Sequence, residues 1–259
     1  MRRLLHHRPW LITLAVLVLL AAVNTALQPS FVQPAVLQSN LTTFLPLILV
    51  AIGQTYVILA GDIDLSVGSI VALSNVVTVS VFAALGNGSE AIPYGMAAGL
   101  ATGLLVGLLN GVLVSVLRLQ PIVTTFATGL VLAGAAIWVL PQAGLPVPDA
   151  YWMAYSGTVL GVPTVLLILA AAAVCVAILS RSVFHAHLLA VGGNRAGAFQ
   201  TGLSVVRLRI LAYGLSGLFS AIAALCLTGE TASGDPLLGG ALALSAISAV
   251  VLGGTSILG

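Results

Sequence analysis

The segment Gly61-Asp62-Ile63-Asp64-Leu65-Ser66-Val67-Gly68-Ser69 sets two carboxylates one residue apart, between two long apolar runs. Two chemistries suit it. Asp or Ser just ahead of an apolar run accepts the orphan amides of a starting helix, which accounts for Asp64 or Ser66. One cap suffices, so Asp62 is left over, and acids near membrane depth mark a solute path or a partner contact. Amide side chains stand within or beside the apolar runs at Asn24, Gln54, Asn75, Asn110 and Gln120. Each either offers a passing solute a weak, neutral hydrogen bond or joins two helices for about 0.6 kcal/mol; Gln54, Asn75 and Asn110 are the candidates for a path. Other chemistry is absent from the pattern. All eight basic residues are Arg, so no phosphate-binding loop ending in Gly-Lys-Ser/Thr exists. No Ser/His/Asp set sits at credible positions. Cys175 and Cys226 lie in apolar stretches without ligand or disulfide spacing and read as small core hydrophobes. His185 and His187 read as loop bystanders. The expectation is a chain with no metal, no cofactor and no enzymatic activity of its own.

The elements that must position these residues are membrane helices. Apolar residues make up 60% of the chain and charged residues 5%, with a mean hydropathy of +1.20. A soluble domain carries about 25% charged residues, so most of this surface must face lipid or other helices. A net charge of +2 gives no reason to expect nucleic acid. Taking about 20 apolar residues per crossing, spans are expected near 10–28, 41–60, 66–86, 94–117, 121–141, 158–180, 210–229 and 240–258, an all-α polytopic membrane protein of about eight helices. The first run is longer than the 7–15 residues of a secretory signal and reads as an uncleaved span. With a cytoplasmic N-terminus, Arg2, Arg3, Arg8, Arg118, Arg181, Arg195, Arg207 and Arg209 all fall inside, as arginine bias requires. Glu90, Asp149, Glu230 and Asp235 then fall outside, and Asp62 and Asp64 are the exceptions.

Within this frame, Gly95, Gly99, Gly103, Gly107 and Gly111 share one helix face and invite close helix packing. Pro46, Pro121 and Pro163 interrupt or bound spans. Segments 29–40 and 142–157 read as outer loops, with Trp152 and Tyr155 as interfacial anchors. The longest inner connection, 181–209, holds four of the eight arginines and a Gly192-Gly193-Asn194 turn ahead of a short helix towards Gln200. It reads either as a docking element or as a cluster that enforces topology.

Residues 61–74, Gly-Asp-Ile-Asp-Leu-Ser-Val-Gly-Ser-Ile-Val-Ala-Leu-Ser, resemble the signature of the ribose-type permease family of ATP-binding-cassette importers. The resemblance runs on through Gly107-Leu-Leu-Asn-Gly-Val-Leu-Val, Leu119-Gln-Pro-Ile-Val-Thr-Thr, Ala190-Val-Gly-Gly-Asn-Arg, Thr201-Gly-Leu-Ser-Val and Ala249-Val-Val-Leu-Gly-Gly-Thr-Ser. These blocks stand in family order over residues 40–259; Ala60-Gly61 departs from the usual Gly-Gly. The resemblance implies a single permease domain in the bacterial inner membrane that imports a sugar or sugar-like solute. It implies three partners: a separate ATPase subunit, a second permease chain (homo- or heterodimer) and an extracytoplasmic solute-binding protein. It makes Gly192, Gly193, Asn194, Arg195 and Gly202 part of an ATPase-coupling loop within 181–209. It also implies a ten-helix architecture, against which a chain ending at Gly259 is expected to be truncated at its C-terminus. An ion-coupled carrier using Asp62 or Asp64, and a non-transporting membrane scaffold, remain the alternatives.

Overall fold

The computed structural model describes residues 10–256; Arg2, Arg3 and Arg8 lie outside the described residues. The helices are α1 (Trp10–Leu27), α2 (Pro34–Leu59), α3 (Val67–Ala84), α4 (Ile92–Ser115), α5 (Pro121–Val139), α6 (Asp149–Ser156), α7 (Thr164–Ser180), α8 (Val183–Gly193), α9 (Arg195–Gln200), α10 (Val205–Thr231) and α11 (Leu242–Leu252). The only strands among the described residues are two-residue pairings, Leu145–Pro146 with Ser233–Gly234 and Thr158–Val159 with Val162–Pro163. The chain is an all-α polytopic membrane protein. Helices α2, α3, α4, α5 and α10 are long and apolar enough to cross a membrane, and α7 qualifies together with α8, from which it bends by 69°. Helices α1 and α11 are apolar but shorter.

Each proline has a local solution. Pro46 lies inside α2, where it cannot donate to the carbonyl four residues earlier; the Tyr155 hydroxyl donates to that Thr42 carbonyl at 3.5 Å. Pro121 opens α5 and Pro163 precedes α7, so neither interrupts a helix. Tyr155 is only 7% exposed, because segment 142–157 is not the expected loop. It contains α6, whose Tyr155 ring lies against Gly229 of α10, so Tyr155 is a packing residue rather than an interfacial anchor. Trp152 donates to Asp149 at 3.1 Å.

The glycine face of α4 carries the central packing. All five of its glycines are buried. A Cβ on Gly95 or Gly99 would collide with Phe82 or Thr78 of α3, and one on Gly103 or Gly107 with the backbone of Gly217 or Tyr213 on α10. Against α10 the helix backbones meet directly, with no side chain in between; against α3 the glycines leave room for the Phe82 ring and the Thr78 hydroxyl. The pairings run antiparallel, since position 95 meets 82 while 103 meets 74, and 103 meets 217 while 111 meets 210. Charges therefore sort by end: Arg118 and Arg209 share one end of the bundle, and Glu90 and Glu230 the other.

The eighth expected span, 240–258, differs most. Helix α11 has 11 residues, about 16 Å at 1.5 Å per residue, against about 30 Å of hydrocarbon. Ahead of it, residues 232–241 re-enter the bundle. Ala232 turns in the left-handed region at φ 51°, Asp235 N donates to Asn75 Oδ1 at 2.8 Å, and Gly239 then meets the backbone of Gly68. Asn75 is at the centre of α3 and Gly68 in its first turn, so the segment descends half the length of α3. Asp235, expected at the outer surface, is thus at mid-span. The Pro236 and Gly239-Gly240 breaks keep the stretch from joining the apolar run as one helix.

Candidate functional site

The signature segment joins α2 to α3 within the bundle. Gln54, with its amide turned as its neighbours require, donates to the Asp64 carbonyl at 3.2 Å and accepts Asp64 N at 3.1 Å. Ser66 Oγ accepts from Asn110 Nδ2 at 2.8 Å. Gln54 and Asn110 each stand five residues short of the end of their helix, about 7 Å at 1.5 Å per residue. The segment is therefore drawn into the bundle, and Leu65 N is held by Thr125 Oγ1 of α5 at 3.0 Å.

The two carboxylates have different surroundings. Asp62, with its side chain fully buried, is the meeting point of two arginines. Arg209 donates Nε to Oδ2 at 2.8 Å and Nη2 to Oδ1 at 2.9 Å, a bidentate grip. Arg195 donates Nη2 to Oδ1 at 2.6 Å, and also to the carbonyls of Ala60 and Gly61 at 2.9 Å each. The two arginines differ in exposure, 11% for the Arg209 side chain and 42% for that of Arg195. Asp64 has no ion pair among the described residues. Its Oδ1 accepts Ser66 N at 2.9 Å and Ser66 Oγ at 2.6 Å, and its Oδ2 accepts Ser216 Oγ at 3.3 Å.

The helix-cap expectation needs correction. Helix α3 does start at Val67 behind Ser66, but no side chain caps it. The Ser66 hydroxyl is engaged with Asp64 and Asn110, and the Asp64 carboxylate holds the Ser66 amide one residue ahead of the helix while it accepts from Ser216 of α10. The amides expected along a path, Gln54, Asn75 and Asn110, are all fully buried, and each makes hydrogen bonds within the protein. Asn75 donates to Thr228 Oγ1 at 2.7 Å and holds Asp235 N. In this conformation none of the three faces an open passage.

The connection 181–209 is built of α8, α9 and the first turn of α10. Ser182 caps α8 by accepting His185 N at 3.3 Å. Gly192 and Gly193 are the last residues of α8 rather than a turn; Asn194 makes the break and caps α9, its Oδ1 accepting Gly197 N at 2.9 Å. Gly202, at φ +84°, closes α9 in a conformation that favours glycine. Arg195, the first residue of α9, is therefore fixed at the base of a short external helix with its guanidinium under the signature segment. His185 lies edge-on to Tyr56 with ring centroids 6.4 Å apart, and no group of three or more His, Cys, Asp or Glu suited to a metal occurs among the described residues.

Sequence reasoning singled out Asp62 and Arg195 separately and missed what joins them to Arg209. The one available signal was charge balance, with two unmatched acids at the same end as a four-arginine connection. A separation of 147 residues between Asp62 and Arg209 leaves no periodicity to read.

The family described as branched-chain amino acid transport system / permease component matches residues 36–259. The ribose import permease protein RbsC of Bacillus subtilis (strain 168) is 36% identical over 247 residues, covering 94% of this chain and 76% of that protein. The L-arabinose transport system permease protein AraH of Escherichia coli (strain K12) is 36% identical over 213 residues, covering 82% of this chain and 64% of that protein. The Escherichia coli (strain K12) ribose import permease protein RbsC is 33% identical over 255 residues, 95% of this chain and 77% of its own length. No solved structure matches. With five helices among the described residues long and apolar enough to cross a membrane, six if the bent α7–α8 pair counts as one, and a family match over most of its length, the chain belongs to the branched-chain amino acid transport system permease-component family and is a multi-pass membrane transport subunit rather than an enzyme.

Proposed function

We propose that this chain is the membrane-spanning permease of an ATP-driven importer for a sugar or sugar-like solute. The ribose and arabinose permeases among its relatives support that solute class. With no phosphate-binding loop in the chain, ATP hydrolysis belongs to a separate ATPase subunit, and solute arrives from an extracytoplasmic binding protein. A second permease chain completes the pore. The end of the bundle that bears Arg118, Arg181, Arg195, Arg207 and Arg209 faces the cytoplasm, by the excess of arginine there, which also puts the N-terminus inside.

The observation that carries this reading is the Arg195 link. Helix α9 lies outside the bundle where an ATPase can seat, and its first side chain makes three hydrogen bonds into the α2–α3 connection. A displacement of α9 by a closing ATPase pair therefore pulls on Asp62, and through Arg209 on the long α10. Packed helices respond to such a pull by switching between discrete arrangements. Arg195→Ala should leave insertion and ATP hydrolysis intact while abolishing ATP-dependent uptake of labelled ribose or arabinose. Normal uptake by that variant, or by one changed at Gly193, removes the coupling assignment.

A further inference from the structure

A buried hydroxyl beside the charge node is left unpaired in this conformation. Tyr213 of α10 is fully buried, and its hydroxyl makes no hydrogen bond among the described residues. The oxygen is sealed within the chain, so neither lipid nor another subunit reaches it. Burying such a group unpaired is costly, and each orphan of this kind calls for a reason. Its surroundings supply one. Tyr213 stands one turn along α10 from Arg209, on the same helix face, and packs with Val57 and Val114. The Val57 carbonyl accepts Asp62 N at 3.1 Å, and the Val114 carbonyl accepts Arg209 Nη1 at 3.5 Å. Of the charged groups that act on the hydroxyl, Asp62 is the strongest, followed by Asp64, Arg209 and Arg195. A donor without an acceptor therefore stands next to the carboxylate on which the two arginines meet.

The donors on Asp62 are unequal. Arg209 holds both carboxylate oxygens and is nearly enclosed, whereas Arg195 reaches only Oδ1, through one nitrogen, with 42% of its side chain in reach of solvent. A displacement of α9 pulls on Asp62 until that single contact yields, which leaves Oδ1 one donor short. We infer that the Tyr213 hydroxyl takes the place of Arg195 on Asp62 Oδ1 when α9 is drawn away, making Tyr213 a positioning residue that holds the second arrangement of the transport cycle. The inference rests on the transport reading above. A hydroxyl that is idle in one arrangement and makes a charge-assisted bond in the other favours the second, because only a difference between two states shifts their equilibrium. Helix α10 is built to allow the shift. Beside Tyr213 it meets Gly107 and Gly111 of α4, which have no side chains to interlock with it.

The test is a double-mutant cycle on the full chain in lipid nanodiscs, with Tyr213→Phe made alone and together with Arg195→Ala, which vacates Asp62 Oδ1 permanently. Loss of an idle hydroxyl should leave the denaturant midpoint of the parent chain unchanged or raise it. In the Arg195→Ala background the hydroxyl is bonded, and the same substitution should lower the midpoint. A drop of equal size in both backgrounds would mean a bond already present, to the protein or to a bound water. No drop in either would mean that Tyr213 does not reach Asp62. Both results overturn the inference. In proteoliposomes that hold the complete importer, Tyr213→Phe should keep ATP hydrolysis and lower the sugar taken up per ATP; uptake at the parental level would overturn the positioning role. A chain that gives the expected midpoints yet takes up sugar without ATP would keep the Tyr213 contact and refute the importer reading.

Discussion

Replacing Asp62 with Asn tests the charge node by its energetics. The carboxylate is fully buried and receives three arginine hydrogen bonds, two of them from a guanidinium that is itself 11% exposed. Removing one partner of such a buried pair strands the other, at a cost of about 3–5 kcal/mol. The two arginines divide that cost unequally. Arg195 has 42% of its side chain in reach of solvent, so its ion pair contributes about 0–1 kcal/mol, as at a surface. Most of the loss therefore falls on Arg209. Asp64 supplies the internal contrast. It has no cation beside it; in Asp64→Asn the side-chain oxygen keeps the Ser66 donors, and the Ser216 hydroxyl turns to accept from the new amide. The cost there should be about 1 kcal/mol, one neutral hydrogen bond. Unfolding of the purified protein in lipid nanodiscs, followed by tryptophan fluorescence across a denaturant series, should rank Asp62→Asn far below Asp64→Asn and Arg195→Ala. Arg209→Met should rescue part of the Asp62→Asn loss, since contacting pairs couple by about 0.5–3 kcal/mol in such cycles. Equal stability for Asp62→Asn and the parent chain, or no rescue by Arg209→Met, would refute the assignment of Asp62 as the neutralising centre.

Other outcomes follow from the same geometry. Gly107→Ala places a methyl against the Tyr213 carbonyl and the Gly217 backbone, so it should lose about 1–3 kcal/mol by overpacking, read as a drop in the unfolding midpoint. Gly134→Ala, with nothing within 4 Å of an added Cβ, should instead gain about 0.5–1 kcal/mol as a helix-interior glycine replaced. Asn75→Ala removes the tether of Asp235 N and the bond to Thr228; uptake should fall while membrane insertion, measured by fractionation, stays at parental level. Tyr155→Phe removes the donor to the Thr42 carbonyl that Pro46 leaves open, and should cost about 1 kcal/mol in the same unfolding assay.

Much of the architecture was legible in the chain because apolar length and glycine spacing are local signals. The glycines of α4 share one face at every fourth residue, and the structure places helix backbones against that face. The arginines among the described residues sort to one end because each sits in or beside a connection between apolar runs. What stayed hidden depends on contacts remote in sequence. Asp62 reads as a path or partner-contact acid until Arg195 and Arg209, more than 130 residues away, are brought beneath it. The amides at Gln54, Asn75 and Asn110 read as path groups because sequence shows polarity but not which neighbour satisfies it. The run 240–258 reads as a full span, although its helix covers only Leu242–Leu252, and Pro236 and Gly239-Gly240 keep the residues ahead of it in a descending, non-helical strip. Polarity and breaks were visible; their partners were not.

The coupling of α9 to the bundle is tested most directly by comparing ATP hydrolysis and sugar uptake in proteoliposomes that hold the complete importer with its binding protein, ATP being supplied on the arginine-bearing side. The account predicts that Arg195→Ala retains ATP hydrolysis and loses uptake of labelled ribose or arabinose. Uptake per ATP hydrolysed equal to that of the parent protein would contradict it.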